Sequence, residues 1–371
     1  MIGLTHQSQD TKRKSQLSKL NYPSLKNHNC VVVVANMSSS SEIFVRPSFF
    51  KAFSYAFFLF SLKSLTYVGS TIAAYKTKFP PTITKKLHPS LAEARIFFPP
   101  NTDKTGVLLP TVFSIHGGGF CMGQPANDDH INARLAANGI LVIALPYPLA
   151  PLNPYPAPLV ALVSQMQKAL TDSELPIDAS RIGLMGSSAG GNLVLALQQL
   201  SEAPEIKATI VFCPPVTFTL TVPEKLERRT PAARSKDDSL ASWAPRMEWG
   251  YIPAGTPLND PKLSPTFASL NSLSEWIFVV GAEYDILCTE AGNMVAEWLG
   301  EEYGEDGRDE MTGKDGKIRW VLARGQKHAY GKSSDLRRII PSLSCLYRVS
   351  EQSISSPDIH YRSYSIPKKI Y

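Results

Sequence analysis

The chain has 371 residues, 43% of them hydrophobic and 19% charged, a balance that buries a large core and excludes a wholly disordered or fibrous protein. The length exceeds the usual single domain, yet one large α/β domain with a lid absorbs it, so two unrelated domains are not required. The 38 Lys and Arg residues against 32 Asp and Glu give a net charge of +6, but residues 1–50 and 331–371 hold the excess and the body between them is slightly acidic; nucleic-acid binding would have to reside in the tails, no zinc-finger spacing or aromatic RNP pattern supports it, and no nucleic-acid partner is expected.

Residues 1–42 are rich in Ser, Lys, Asn and Gln, interrupted by the run Val31 to Ala35, without a sustained period; residues 1–48 read as a mobile basic tail. A second methionine, Met37, offers an alternative start. Residues 49–91 read as an N-terminal helical cap or anchor segment. Its most apolar part runs from Phe49 to Leu62, and the uncharged stretch Ala52 to Leu62 between Lys51 and Lys63 is too short for a bilayer, which needs about 20 apolar residues. Three roles stand for it: a helix on the core or shaping a lid, peripheral membrane contact through 49–62, or a signal sequence after Met37 with a poor cleavage site. The expected location is cytoplasmic, with membrane association and secretion as the alternatives.

From residue 92 a regular alternation begins. Thr111–His116, Ile140–Leu145, Arg181–Met185, Ala208–Cys213, Trp276–Gly281 and Lys317–Ala323 are short β-branched or aromatic runs bounded by turn formers, which predict buried strands. Leu159–Leu170, Gly191–Leu200 and Glu290–Leu299 read as helices between them. The rhythm is that of a mostly parallel α/β sheet with helices on both faces, whose ligands bind at the strand carboxyl ends. Residues 214–262 break the rhythm with prolines, charges and the aromatics Trp243, Trp249 and Tyr251; they read as an insertion over the strand ends. The domain expected to hold the chemistry spans 92–335, and 336–371 reads as a basic C-terminal tail. Cys30, Cys121, Cys213, Cys288 and Cys345 are odd in number and contain no CxxC, which argues against a disulfide framework or a structural zinc site and for buried small hydrophobes.

Gly186-Ser187-Ser188-Ala189-Gly190 follows a predicted strand and opens a helix, the context of a nucleophile elbow with Ser188 at its centre. Small residues two positions either side are needed because side chains there collide with the neighbouring backbone. Ser187 is a competing hydroxyl at the wrong offset from the glycines. His116-Gly117-Gly118-Gly119-Phe120 follows another strand; its glycines let backbone N–H groups turn into a site, as stabilisation of a developing oxyanion requires. A phosphate loop is excluded by the lack of GxGxxG and GK[ST]. His116 reads as an anchor of that loop rather than a base.

With the chain order serine, acid, histidine, only His328 and His360 remain as bases. His328 lies in a loop just beyond the strand Lys317–Ala323, whereas His360 lies in a polar tail with no strand before it. The acid must follow a strand; Asp285 is favoured, with Glu283 as the fallback, and Asp260 reads as structural.

HGGGF, Tyr147–Leu159, GSSAGGNL, NDPKLSP, GAEYDIL and GQKHAY, in that order over residues 92–330, resemble the hormone-sensitive-lipase-like (arylacetamide-deacetylase-like) esterases of the α/β-hydrolase superfamily. The resemblance implies an α/β-hydrolase fold with a cap over the strand ends, and Ser188 as nucleophile, Asp285 as acid and His328 as base. It further implies an oxyanion hole of the Gly118, Gly119 and Ala189 N–H groups, a cap built from N-terminal helices and 214–262, no metal and no organic cofactor. The implied function is a serine carboxylesterase acting on a small-molecule ester, with a biosynthetic deacetylase or acyl-transferring enzyme and a non-catalytic small-ligand receptor as alternatives. The chain departs from the family pattern at Ser187, where an acid is common, at Pro148 and Leu152, where Arg and Glu are usual, and at Thr289, where a second acid often stands. The residues after Tyr330 do not read like the family's closing helix, although Asp335–Ile340 reads as a short one.

Overall fold

β-Branched and aromatic residues stand well on a pleated surface, and in the computed structural model the runs between Ile83 and Ala323 join into one nine-stranded sheet. The structure describes residues 42–75, 77–100 and 106–328. The tail over 1–41, the Met37 start and the signal sequence after it, Cys30, Cys345, His360, the short helix at Asp335–Ile340 and the tail 336–371 lie outside the described residues.

In chain order the elements are α1 (Phe49–Tyr75), β1 (Ile83–Lys85), β2 (Ala94–Phe97), β3 (Leu109–Ile115), α2 (Asp129–Ala136), β4 (Leu141–Leu145), α3 (Ala157–Leu170), β5 (Ile177–Ser187), α4 (Ala189–Leu197) and β6 (Ala208–Phe212). They continue with α5 (Val222–Glu227), α6 (Pro231–Arg234), α7 (Ser239–Tyr251), β7 (Trp276–Ala282), α8 (Cys288–Leu299), β8 (Glu310–Thr312) and β9 (Ile318–Ala323). The strand order is β1-β2-β4-β3-β5-β6-β7-β9-β8. From β4 to β9 every pairing is parallel, and β1, β2 and β8 add antiparallel edges.

Successive strand residues point to opposite faces, and both faces are covered. Phe113, Ile115, Leu184, Val211, Val279 and Trp320 belong to one core, shared with Leu162 and Met166 of α3, Leu193 of α4 and Met294 of α8. Their neighbours Val112, Met185, Ile210, Phe278 and Val280 belong to the other, with Ile131 and Leu135 of α2. Burial on both sides is why these strands read as unbroken apolar runs. Helix α4 is buried at every position, as its all-round hydrophobic sequence requires.

Three expectations are adjusted. The tail does not extend to residue 48: Phe44 N–H donates to Thr256 O (2.9 Å), Gly255 N–H to Phe44 O (2.9 Å) and Leu258 N–H to Glu42 O (2.8 Å). Such main-chain pairing carries no composition signal. The sheet begins inside the segment 49–91, because Ile83↔Ile96 and Lys85↔Ala94 pair β1 with β2; three residues are too few to show a period. The apolar helix continues past Leu62 to Tyr75.

Residues 214–262 hold α5, α6 and α7 rather than irregular chain. The prolines that obscure them are Pro223 and Pro231, each in the first turn of its helix, where the missing N–H is not needed, and Pro245 within α7. Helix α7 packs on α1 through edge contacts between aromatic rings, Tyr55 on Trp249 and Phe58 on Trp243, both with centroids 6.2 Å apart. Leu59 is fully buried at this contact.

Candidate active site

Strand β5 passes into α4 through one residue, Ser188, whose φ of 52° and ψ of −121° are strained for a residue with a Cβ. The turn closes because its neighbours have no side chains. A Cβ on Gly186 would stand 2.2 Å from Gly190 O, and one on Gly190 would stand 2.1 Å from Ile115 O. Ser188 N–H donates to Phe212 O at 2.7 Å, fixing the turn against the end of β6. Ser187 stays in the strand, paired with Phe212.

Loops beyond β7 and β9 supply the partners. Ser188 O–H donates to His328 Nε2 at 2.9 Å, and His328 Nδ1–H donates to Asp285 Oδ2 at 2.7 Å. One tautomer, with the proton on Nδ1, satisfies both contacts. Asp285 is fully buried, and its other oxygen accepts Leu287 N–H at 3.0 Å. Burial opposes a charge on His328, but the charge of Asp285, its hydrogen bond and the charge of Asp238 outweigh it, holding the imidazole above its ordinary value. A hydroxyl bonded to an imidazole that is oriented by a carboxylate is the arrangement that turns serine into a nucleophile.

Glu283, the fallback acid, is engaged elsewhere: it accepts Arg324 Nη1–H at 2.9 Å and Gly325 N–H at 2.6 Å, which steadies the loop leading to His328. Asp260 accepts the Tyr155 hydroxyl at 2.8 Å and Lys262 N–H at 3.0 Å. His116 stacks on Tyr147 with centroids 4.3 Å apart, its Nδ1 lies 2.8 Å from Gly117 O, and Tyr147 O–H donates to His116 O at 3.1 Å.

The glycine loop lies against the elbow, since a Cβ on Gly117 would approach Ser187 O to 2.8 Å. Gly118 and Gly119 have φ of 126° and 57°, in the left-handed half of backbone space that favours glycine. They line a cavity of about 560 Å³ together with Ser188 and His328. Leu240, Trp243 and Met247 of α7 and Thr66 and Gly69 of α1 complete part of its wall. Ala189, at the start of α4, is fully buried.

Three features of the site escape sequence reasoning. Asp238 caps α7 by accepting Leu240 N–H at 2.9 Å, and its second oxygen accepts Ile286 N–H at 2.7 Å, so it ties the helix over the cavity to the loop that carries Asp285. Phe120 at the end of the glycine loop stacks on Tyr251 of α7 with centroids 3.7 Å apart. Glu290, one position beyond Thr289, is the buried acid here: it accepts Val216 N–H at 2.9 Å and pairs with Lys225 at 2.8 Å. Nothing local in the sequence marks the first two; the third is an acid displaced by one position from Thr289.

Cys121, Cys213 and Cys288 are buried thiols. Cys213, Asp285 and His328 offer ligand atoms within 4.8 Å of one another, the one group of three candidate metal ligands among the described residues. Two of them already share the Asp285–His328 hydrogen bond, so an ion there would have to displace the contact that orients the imidazole.

Residues 112–306 match the family described as alpha/beta hydrolase fold, and the chain belongs to it, in the hormone-sensitive-lipase-like group. Among its relatives, Probable carboxylesterase 6 of Arabidopsis thaliana is 30% identical over 262 residues, covering 65% of this chain and 71% of that one. An esterase of Acinetobacter venetianus is 32% identical over 183 residues, covering 47% of this chain and 57% of that one, so the chain spans little more than half of that relative. Among solved structures, a thermostable carboxylesterase cloned from a metagenomic library superposes with a TM-score of 0.59 at 25% identity, covering 79% of this chain and 97% of that one.

Proposed function

We propose that the protein is a serine carboxylesterase hydrolysing small to medium acyl esters through an acyl-enzyme intermediate, with no metal or organic cofactor. The observation that carries the reading is the unbroken line of contacts Ser188–His328–Asp285 at 2.9 and 2.7 Å, opening on one cavity. The volume of about 560 Å³ falls within the range of small-molecule sites, and the relatives named above are named an esterase and a probable carboxylesterase.

In this mechanism Ser188 Oγ attacks the ester carbonyl carbon while its proton passes to His328 Nε2. The tetrahedral oxyanion is held by the N–H groups of Gly118, Gly119 and Ala189, of which removing one donor typically costs ~3 kcal/mol. His328 then gives the proton to the leaving alkoxide as the C–O bond breaks, releasing the alcohol and leaving the acyl group on Ser188. Water repeats the sequence: His328 takes its proton, the hydroxide oxygen attacks the acyl carbon, and the proton returns to Ser188 Oγ as the acid departs. Asp285 keeps the imidazole in the productive tautomer throughout and stabilises the imidazolium.

Two measurements test this. The wild-type chain is expected to label with a fluorophosphonate and to hydrolyse p-nitrophenyl butyrate, and Ser188→Ala is expected to lose both while keeping its thermal melt. Undiminished turnover in Ser188→Ala rejects the assignment, and a wild-type chain that binds esters without labelling is a receptor rather than an enzyme.

A further inference from the structure

We propose that the outward face of α1 is an interfacial surface that docks the protein flat on a bilayer carrying anionic headgroups. Helix α1 has 27 residues and is therefore ~40 Å long. Its inner side is accounted for by Leu59, Tyr55 and Phe58 against the core and α7. The opposite side presents Phe50, Phe53, Phe57, Phe60, Val68 and Ile72, which are 84%, 67%, 69%, 44%, 58% and 52% exposed. At ~100° per residue these six fall on one stripe along the helix. Soluble surfaces carry scattered apolar side chains rather than a stripe of this length, although Ser54, Ser61 and Ser64 interrupt it.

Two further observations single out a lipid surface as the occupant. First, the small polar side chains Ser54 and Ser64 turn their hydroxyls back on the helix, donating to Lys51 O at 2.8 Å and Phe60 O at 2.9 Å; serines satisfied this way need no water. Second, three cations without acidic partners among the described residues lie over rings of the seam between α1 and α7, on one flank of the N-terminal half of the stripe. Arg46 lies over Trp249, Lys51 over Tyr55, and Arg246 over Tyr55 and Phe58, and none of the three enters an ion pair among the described residues. An apolar face edged by basic residues is the pattern of helices lying in the headgroup region. No helix among the described residues is long and apolar enough to cross a membrane, so the contact is lateral. The same helix lines the cavity through Thr66 and Gly69, so docking brings the surface of the bilayer alongside the wall of the site.

The experiment is co-sedimentation of the full chain with phosphatidylcholine vesicles, with and without phosphatidylserine. Wild type is expected to pellet, more strongly when phosphatidylserine is present. Phe53→Ser combined with Phe57→Ser removes two outward rings without touching the cavity or the core, and is expected to lower the partition coefficient about a hundredfold with an unchanged thermal melt and unchanged turnover of a soluble ester. Arg46→Glu combined with Lys51→Glu is expected to abolish the preference for phosphatidylserine, about fivefold for each charge removed. Wild type that stays in the supernatant with both vesicles overturns the proposal, as does a double serine variant that pellets like wild type. A dimer seen by light scattering that the serine variant dissolves, with no vesicle uptake by wild type, assigns the face to a second copy instead.

Discussion

Asp285→Asn replaces one oxygen of a fully buried carboxylate with a nitrogen and leaves its shape unchanged, so its effect isolates hydrogen-bond direction and charge. Both neighbours of the native carboxylate are donors: His328 Nδ1–H at 2.7 Å and Leu287 N–H at 3.0 Å. Asparagine has one accepting end, so one contact must fail. With the amide oxygen on Leu287, the NH₂ faces Nδ1 and drives the imidazole proton to Nε2, which then has no lone pair for the Ser188 hydroxyl 2.9 Å away. With the oxygen on His328, two donors confront each other beside Leu287, at a cost of roughly 1–3 kcal/mol. In either orientation the charge that stabilises the imidazolium is gone. The expected loss in kcat/KM is roughly 10³- to 10⁴-fold, or about 4–5.5 kcal/mol, read by p-nitrophenyl butyrate hydrolysis with a thermal melt as the control for folding. Glu283→Gln is the comparison. It weakens the Arg324 pair and forces the amide to choose between Arg324 and Gly325, while the imidazole keeps its bonds to Asp285 and Ser188, so its expected loss is under about tenfold. An Asp285→Asn variant within tenfold of wild type, or a Glu283→Gln variant that loses as much, refutes the reasoning.

Two further outcomes follow from the same geometry. Ester attack needs the neutral imidazole and the folded site holds His328 above its ordinary value, so kcat/KM is expected to rise with pH through a limb lying above that of a free histidine. Asp238→Asn deletes one of the charges responsible, and the limb should then move to lower pH; a limb that stays put or moves upward shows that Asp238 acts only as a cap for α7. Gly190→Ala places a methyl group 2.1 Å from Ile115 O and 2.6 Å from His116 O, backbone atoms with no rotamer to relieve them. The expected cost is about 3 kcal/mol, a fall in Tm of about 4–5 °C for a chain of this size, with turnover lost as the elbow and the Ala189 N–H shift; a native melt in this variant contradicts the packing.

The parts of the site legible in the sequence are those governed by constraints a few residues long. Ser188 is readable because the steric demands of its turn fall on positions 186 and 190, and the distances of 2.2 and 2.1 Å show why glycine occupies both. Strands β3, β4, β6 and β7 are readable because each is buried on both faces or nearly so, leaving runs such as Trp276–Ala282 with no polar interruption. Strands β1 and β8 fail that condition: each has three residues, with mixed burial in Ile83–Lys85 and a single buried residue in Glu310–Thr312. The helices of 222–251 are hidden for a different reason, since proline at a helix start is favourable in the structure but reads as irregular chain in the sequence. What no local rule reaches is the link between the wall of the cavity and its chemistry. Asp238 meets Ile286 across 48 positions, and Phe120 stacks on Tyr251, which follows it by 131 positions in the sequence. Both contacts join α7 to the loops that carry Asp285 and the glycines, so a substitution that shifts α7 is expected to disturb both loops through Asp238 and Phe120.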